Sequence, residues 1–183
     1  TIDNISGSST LTIGDTNTST ITLKSGATLT NFPVNTPTFR ARASSNQTGL
    51  TSGGWTKVQF DTELFDVGSG YDNTNDKFVV PSGEAGKYFF STTMKVNSSA
   101  GGSTLLGHGA SFYVNGSNVG QSVNFYNNAV NIAAHANLNI ILDLSVSDYV
   151  EVYVYYQDHT TNTGSLTGNS DLNTQFFGCK LIG

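Results

Sequence analysis

The chain has 183 residues and a formal net charge of −5, and only 11% of its residues are charged. Eight dispersed lysines and arginines cannot neutralise a run of phosphates, so we expect neither nucleic-acid binding nor attraction to anionic membranes. The uninterrupted apolar runs are far shorter than the roughly 20 residues of a membrane-spanning helix, so we also expect no membrane insertion.

Residues 1–36 form a Thr-rich segment with a weak internal repeat. The apolar pair Leu11/Ile13 recurs as Ile21/Leu23, with turn-forming residues between the two pairs. Each unit is typical of a very short strand, but one copy has too few apolar side chains to offset a backbone ordering cost of about 1–2 kcal/mol per residue. The segment is therefore either disordered or buried jointly by several copies of the chain. We favour the second interpretation and predict a short β-structured stalk.

Residues 37–183 follow a stiff connector bracketed by Pro33 and Pro37, and we predict that they form a separate head domain. Their strongest segments alternate apolar and polar residues or are rich in β-branched and aromatic residues, and helix signals are nearly absent. Asn115-Gly116 separates two such segments, which is a strong short-range signal of a hairpin. The pattern predicts an all-β sandwich, jelly roll or barrel.

The segment 148–156 carries bulky side chains on both faces. Its three valines fall on one face, while Glu151, Tyr153 and Tyr155 fall on the other. A strand with tyrosines on its second face is commonly covered by another sheet on one side and by a neighbouring chain on the other. The pattern therefore indicates an oligomer.

Several motifs follow one another in a definite order from residue 37 onward. The most specific is the run Gly86-Lys87-Tyr88-Phe89-Phe90. Others are Phe39 in the opening strand, Phe60-Asp61, Tyr71-Asp72, Lys77-Phe78, Phe112 with Asn115-Gly116, Leu144, Asp148-Tyr149-Val150, and the closing Phe176-x-Gly178. In this order and spacing the chain resembles the C1q-like domain of the C1q/tumour-necrosis-factor (TNF) superfamily, although Ser147 stands where that family usually has Gly.

The resemblance implies a ten-stranded jelly roll that assembles as a homotrimer, with one sheet of each subunit packed around the threefold axis. It also suggests which aromatic residues lie at that interface, and for Tyr153, Tyr155 and Phe176 burial in the core of one chain is an alternative. The parity of the last strand that faces the axis stays open. The predicted interface residues are Phe39, Tyr88, Phe90, Tyr153, Tyr155 and Phe176.

The segment 1–36 stands where animal members of the family carry a collagen stalk. A Thr-, Ser- and Asn-rich stalk below a trimeric head looks like the distal end of a bacteriophage tail fibre or a similar adhesin. We therefore predict a non-enzymatic recognition head at the extracellular tip of a viral fibre, on the virion surface. Its partners would be its own copies, an upstream fibre or virion protein, and a host cell-surface glycan or protein. The alternatives are a purely structural trimerisation domain and a glycan-degrading enzyme.

The sequence offers little support for catalysis. It contains no nucleophile elbow, zinc-protease motif, phosphate-binding loop or dinucleotide fingerprint. The histidines at 108, 135 and 159 lie far apart, and we interpret most of the ten aspartates as residues of turns. We therefore predict no catalytic residues.

Two further positions are candidates for binding. Asp72 and Asp76, in a run with oxygen-bearing side chains at alternate positions, could hold calcium, with a tight turn as the alternative and no other cofactor expected. Trp55 follows Gly53-Gly54 and could stack on the face of a sugar, with a lid over the core as the alternative.

Overall fold

The computed structural model describes residues 35–98, 104–127, 131–159, 162–169 and 171–181. The predicted stalk at 1–36 therefore lies almost wholly outside the described residues, and the boundary between stalk and head stays a prediction. The described residues contain no helix that is long and apolar enough to cross a membrane.

The described residues are all β, as the sequence predicts, and form thirteen strands. The strands are β1 (Thr38–Arg42), β2 (Gln47–Leu50), β3 (Gly54–Lys57), β4 (Thr62–Val67), β5 (Tyr71–Asp72), β6 (Lys77–Val79), β7 (Gly86–Asn97), β8 (Leu105–Val114), β9 (Ser117–Phe125), β10 (Ala133–Leu144), β11 (Tyr149–Asp158), β12 (Gly164–Leu166) and β13 (Gln175–Lys180). Several have only two to four residues, which is why there are more strands than the expected ten.

Two antiparallel sheets make a sandwich. The first sheet has the order β2-β12-β7-β13-β1-β4, and β10 pairs with the other edge of β7. The second sheet has the order β5-β6-β11-β8-β9, and β3 also pairs with β11. This arrangement confirms the predicted jelly-roll sandwich.

Strict alternation along the strands builds the two faces of each sheet. In β7 the even-numbered residues from Tyr88 to Val96 point into the sandwich, while the odd-numbered residues from Lys87 to Asn97 point outward. Because side chains alternate along a strand, the sequence GKYFF places its Tyr and second Phe on one face and its first Phe on the other.

The core between the sheets is built largely from aromatic rings. The Phe39 ring lies with its centroid 4.9 Å from that of Tyr71, 5.1 Å from that of Phe78 and 4.8 Å from that of Phe176. Offset and edge-on contacts of this kind stabilise a pair beyond the burial of its area. The fully buried aromatic side chains of the core also include Phe60, Tyr88, Phe90, Phe112 and Tyr156.

Four of the predicted interface residues belong to this core. Phe39, Tyr88, Phe90 and Phe176 are at most 1% exposed within a single chain, so their side chains are not available to a second one. Their burial contradicts the assignment to the interface, and only for Phe176 was burial in the core the stated alternative. Each points between the sheets because its strand alternates in that register.

The Asn115-Gly116 turn joins β8 to β9, as the sequence predicts. Both residues have positive φ, 50° for Asn115 and 79° for Gly116, which matches the twist of a two-residue hairpin. The Asn115 side chain donates to Asp148 Oδ1 at 2.8 Å and accepts from the Tyr149 N–H at 3.0 Å. These bonds connect the turn to the start of β11.

Candidate recognition surfaces

The outward side of the first sheet carries a row of apolar side chains across five strands. Ile141 of β10 pairs with Phe89 of β7, Phe89 pairs with Cys179 of β13, and Val67 of β4 continues the row beyond Thr38 of β1. A second row contains Phe177 and Phe65, separated by Arg40. We call this surface the apolar face: Phe65, Val67, Phe89, Ile141, Phe177 and Cys179.

The apolar face is partly exposed in the single chain, and its residues on β7 and β13 are half-buried. Phe65 is 45% exposed, Val67 50% and Ile141 61%. Part of the face forms an open cavity of about 440 Å³ between Phe65, Phe89 and Phe177. Contiguous apolar surface of this kind on one chain marks a site of contact with another molecule.

The outward side of the second sheet carries aromatic rings instead. Trp55 of β3 pairs with Tyr155 of β11, and their ring centroids lie 5.4 Å apart. The Phe125 ring stands edge-on to Tyr155 at 5.9 Å, and Tyr113 lies 4.1 Å from Tyr153. We call this surface the aromatic face: Trp55, Tyr113, Phe125, Tyr153 and Tyr155.

The two charged side chains beside Tyr153 form an ion pair. Lys57 Nζ lies 2.6 Å from Glu151 Oε1 and also donates to the Asn75 carbonyl oxygen at 2.7 Å. Burial, with a further contribution from Glu151, raises the pKa of the Tyr153 hydroxyl. The tyrosine therefore stays neutral at physiological pH, and the Lys57–Glu151 pair beside it has no net charge.

The predicted ligand and interface residues of the second sheet lie together on this face. Trp55 is part of β3 and packs on Tyr155, so it lies on the outward side of a sheet and does not cover the end of the core. Tyr153 and Tyr155 are half-buried beside it. Whether these three side chains contact a ligand or a second chain stays a prediction.

Asp72 is the last residue of β5, and Asp76 lies in the turn between β5 and β6. The Asp72 carboxylate accepts from the backbone N–H groups of Thr74 and Asn75 at 3.2 and 3.0 Å, and from the Asn75 side chain at 2.8 Å. The Asn75 side chain lowers the pKa of Asp72. Asp76 instead accepts from the Phe60 N–H at 2.8 Å, and burial raises its pKa. These contacts favour the tight-turn alternative, and calcium binding stays a prediction.

The acidic and histidine side chains of the described residues form no metal cluster, and the absence of catalytic residues stays a prediction. Within these residues, no three His, Cys, Asp or Glu side chains are grouped so that they could hold a metal ion. The buried carboxylate of Asp158 accepts from the hydroxyls of Tyr156 and Thr104, both at 2.7 Å. It therefore stabilises the end of β11.

Solved structures of other proteins share this architecture. Murine APRIL, a TNF-family protein, is 12% identical with a TM-score of 0.56, and the match covers 79% of this chain and 98% of that chain. The globular domain of zebrafish complement 1qA protein is 13% identical with a TM-score of 0.53, covering 80% and 98%. The head has a C1q/TNF-like fold. No protein-family model matches the chain, and no curated protein matches it in sequence.

The C1q/TNF-like head exposes several residues that were not predicted as interface residues. Phe89 and Phe177 are each adjacent in sequence to a core phenylalanine, and they point to the opposite side of the sheet. The doubled phenylalanines in GKYFF and QFFGC are the sequence signal, because a Phe-Phe pair in a strand must place one ring on each face. Ile141 carries the same kind of signal, because it follows Ile140, which packs against the core.

Proposed function

We propose that this chain is a non-enzymatic recognition head that assembles as a homotrimer. The observation that supports the proposal is the apolar face, which crosses five strands of a C1q/TNF-like sheet and is exposed in one chain. An exposed apolar surface of this kind favours association, and identical copies most often associate with closed symmetry. Covering the face in a threefold ring would remove Phe65, Phe89, Phe177 and Ile141 from water.

The head would serve as the extracellular tip of a viral fibre or a similar adhesin. The Thr-rich segment 1–36, in the place of a stalk, would connect it to an upstream fibre or virion protein. Its target would be a glycan or protein of the host cell surface. Three equal sites on one rigid head can raise the overall affinity about 100-fold or more when the target surface is repetitive.

The solution mass of the full chain tests the trimer. Three chains of 19.4 kDa give 3 × 19.4, about 58 kDa, and light scattering behind a sizing column should measure this value. Phe177→Asp places a charge in the apolar face, and we expect it to reduce the mass towards that of one chain, because burying an unpaired carboxylate is costly.

Val146→Asp is the matched control, because Val146 is similarly exposed, at 44%, but lies in the loop between β10 and β11. This variant should keep the trimer mass. A wild-type mass of 19.4 kDa would contradict the proposal.

A further inference from the structure

The aromatic face has the composition of a carbohydrate-binding surface. We propose, building on the recognition function above, that it binds a neutral oligosaccharide, with Trp55 and Tyr155 as the rings on which the sugar stacks. The C–H groups on one side of a pyranose ring form an apolar surface, and aromatic side chains provide the complementary surface.

Three rings lie side by side on this face. Trp55 and Tyr155 are direct partners across β3 and β11, with centroids 5.4 Å apart. Phe125 extends the surface on the other side of Tyr155 and is 61% exposed. Its ring lies over Gly107, where an added Cβ would come within 2.8 Å of it. The glycine therefore allows the ring to lie close to the sheet beside Tyr155.

Polar groups border the rings where sugar hydroxyls would need partners. Tyr155 donates its hydroxyl hydrogen to Gln157 Oε1 at 2.9 Å, and the Gln157 amide carries two further donors. Beside the Tyr113–Tyr153 pair, Asn118 donates to Gln121 Oε1 at 2.9 Å. A surface that combines aromatic rings with side-chain amides suits a ligand that is apolar on its ring faces and polyhydroxylated at its edges.

The ion pair beside Tyr153 favours a neutral ligand. Lys57, the cation nearest to Tyr153 in the β3–β11 pairing, is held by Glu151 at 2.6 Å. A sulfate or phosphate group bound over Tyr153 would compete with Glu151 for that ammonium group, and taking it would leave the Glu151 carboxylate, which is 12% exposed, without its partner. A neutral glycan leaves the ion pair intact.

The aromatic face and the apolar face lie on different sheets. In the proposed trimer, assembly through the first sheet would leave the rings of the second sheet exposed in each of the three copies. Three sugar sites on one head would then bind a repetitive glycan surface with the gain in affinity described above.

Trp55 is the only tryptophan of the chain, so its fluorescence reports on this site directly. The full chain should be titrated with cellohexaose, mannohexaose and galactohexaose, and with a sulfated form of each. We expect a saturable change in emission with at least one neutral hexaose. Tyr155→Ala should weaken that binding by about tenfold or more, since it removes one stacking ring.

Tyr149→Ala is the matched control, because Tyr149 is on the same strand and the same face, about 20 Å away at roughly 3.3 Å per residue. It should leave the affinity within about twofold of the wild type. Phe125→Ala changes an exposed ring and provides a second test if Tyr155→Ala does not fold, with an expected loss of about threefold or more.

Three results would overturn the site assignment: no response to any neutral hexaose, a stronger response to the sulfated forms, or an equal loss in Tyr149→Ala. A face that responds to no sugar would instead suit a protein partner. Light scattering on the same samples separates this outcome from failure of the proposed assembly. A 58 kDa particle (3 × 19.4 kDa) without a sugar response overturns only the glycan site, and a monomer with a sugar response overturns only the trimer.

Discussion

At the residue scale, His108 is a buried polar side chain whose position carries an energetic cost. It lies on β8, is 4% exposed, and stacks on Tyr126 with the ring centroids 5.6 Å apart. Its Nδ1 atom is buried and has no hydrogen-bond partner among the described residues. Burial lowers the pKa of His108, and a hydrogen bond to the backbone of His135 partly opposes that effect.

This histidine predicts a loss of stability in mildly acidic solution. The folded state disfavours the protonated ring. The contribution of His108 to folding stability is therefore complete above its ordinary pKa of 6.5 and decreases as the pH falls below that value. The urea midpoint at pH 5 should therefore lie below that at pH 7.5. His108→Phe should reduce the difference, because it keeps a ring against Tyr126 and removes the titrating group.

His159→Gln is the control for this experiment, because His159 is exposed after the end of β11. It should keep the pH dependence of the wild type. A His108→Phe variant whose midpoint changes with pH as much as that of the wild type would show that other groups cause the acid sensitivity.

At the scale of a single element, β13 can approach β7 closely because Gly178 has no side chain. A Cβ at this position would lie 2.4 Å from Cδ1 of Phe90 and 3.0 Å from Cε1 of Phe39. Both rings are fixed in the core, so Gly178→Ala should lower the free energy of unfolding by about 1–3 kcal/mol. In this chain, close packing against the rings of Phe90 and Phe39 therefore explains the glycine of the closing Phe-x-Gly motif.

Urea unfolding at a fixed protein concentration measures this effect, because association also contributes to apparent stability. Gly54→Ala is a suitable control, since an added Cβ there meets its nearest atom at 3.5 Å, an ordinary contact distance. Equal midpoints for the two variants would contradict the packing argument.

The strands themselves could be predicted from alternation, but the side that each ring faces could not. In GKYFF and QFFGC, a shift of one residue exchanges the core and the outward face, and both choices place a phenylalanine on each side. The choice depends on which face meets the second sheet, which is a contact between distant parts of the chain. Phe90 and Phe176 were therefore assigned to the interface, while their neighbours Phe89 and Phe177 face outward.

Features that depend on adjacent residues could be predicted more reliably than features that depend on contacts between distant parts of the chain. The Asn115-Gly116 hairpin could be predicted because its backbone conformation depends on these two residues. Trp55 follows Gly53-Gly54 in the sequence, but its place on the outward side of the second sheet depends on the pairing of β3 with β11, about one hundred residues later. Its neighbour Tyr155 was identified for its own strand pattern, and only the pairing shows that the two rings form one surface.

At the scale of the whole molecule, the proposed assembly predicts that the head associates without its upstream segment. The apolar face lies entirely between residues 65 and 179, so a chain that starts at Thr36 retains it. Light scattering should give three times the mass of the shortened chain. A monomeric shortened chain beside a trimeric full chain would show that residues 1–35 are needed for assembly.

The rate at which a thiol reagent modifies Cys179 reports on the accessibility of the apolar face. Cys179 is the only cysteine of the chain, and it lies half-buried between Phe89 and Thr38 on the apolar face. A thiol reagent can modify it quickly only while that face is open to water. With a reagent that reacts more slowly than subunits reassociate, the labelling rate would therefore measure the fraction of subunits that are dissociated. A rate that falls as protein concentration rises would indicate exchange of whole subunits, while a rate independent of concentration would indicate local opening within an intact particle.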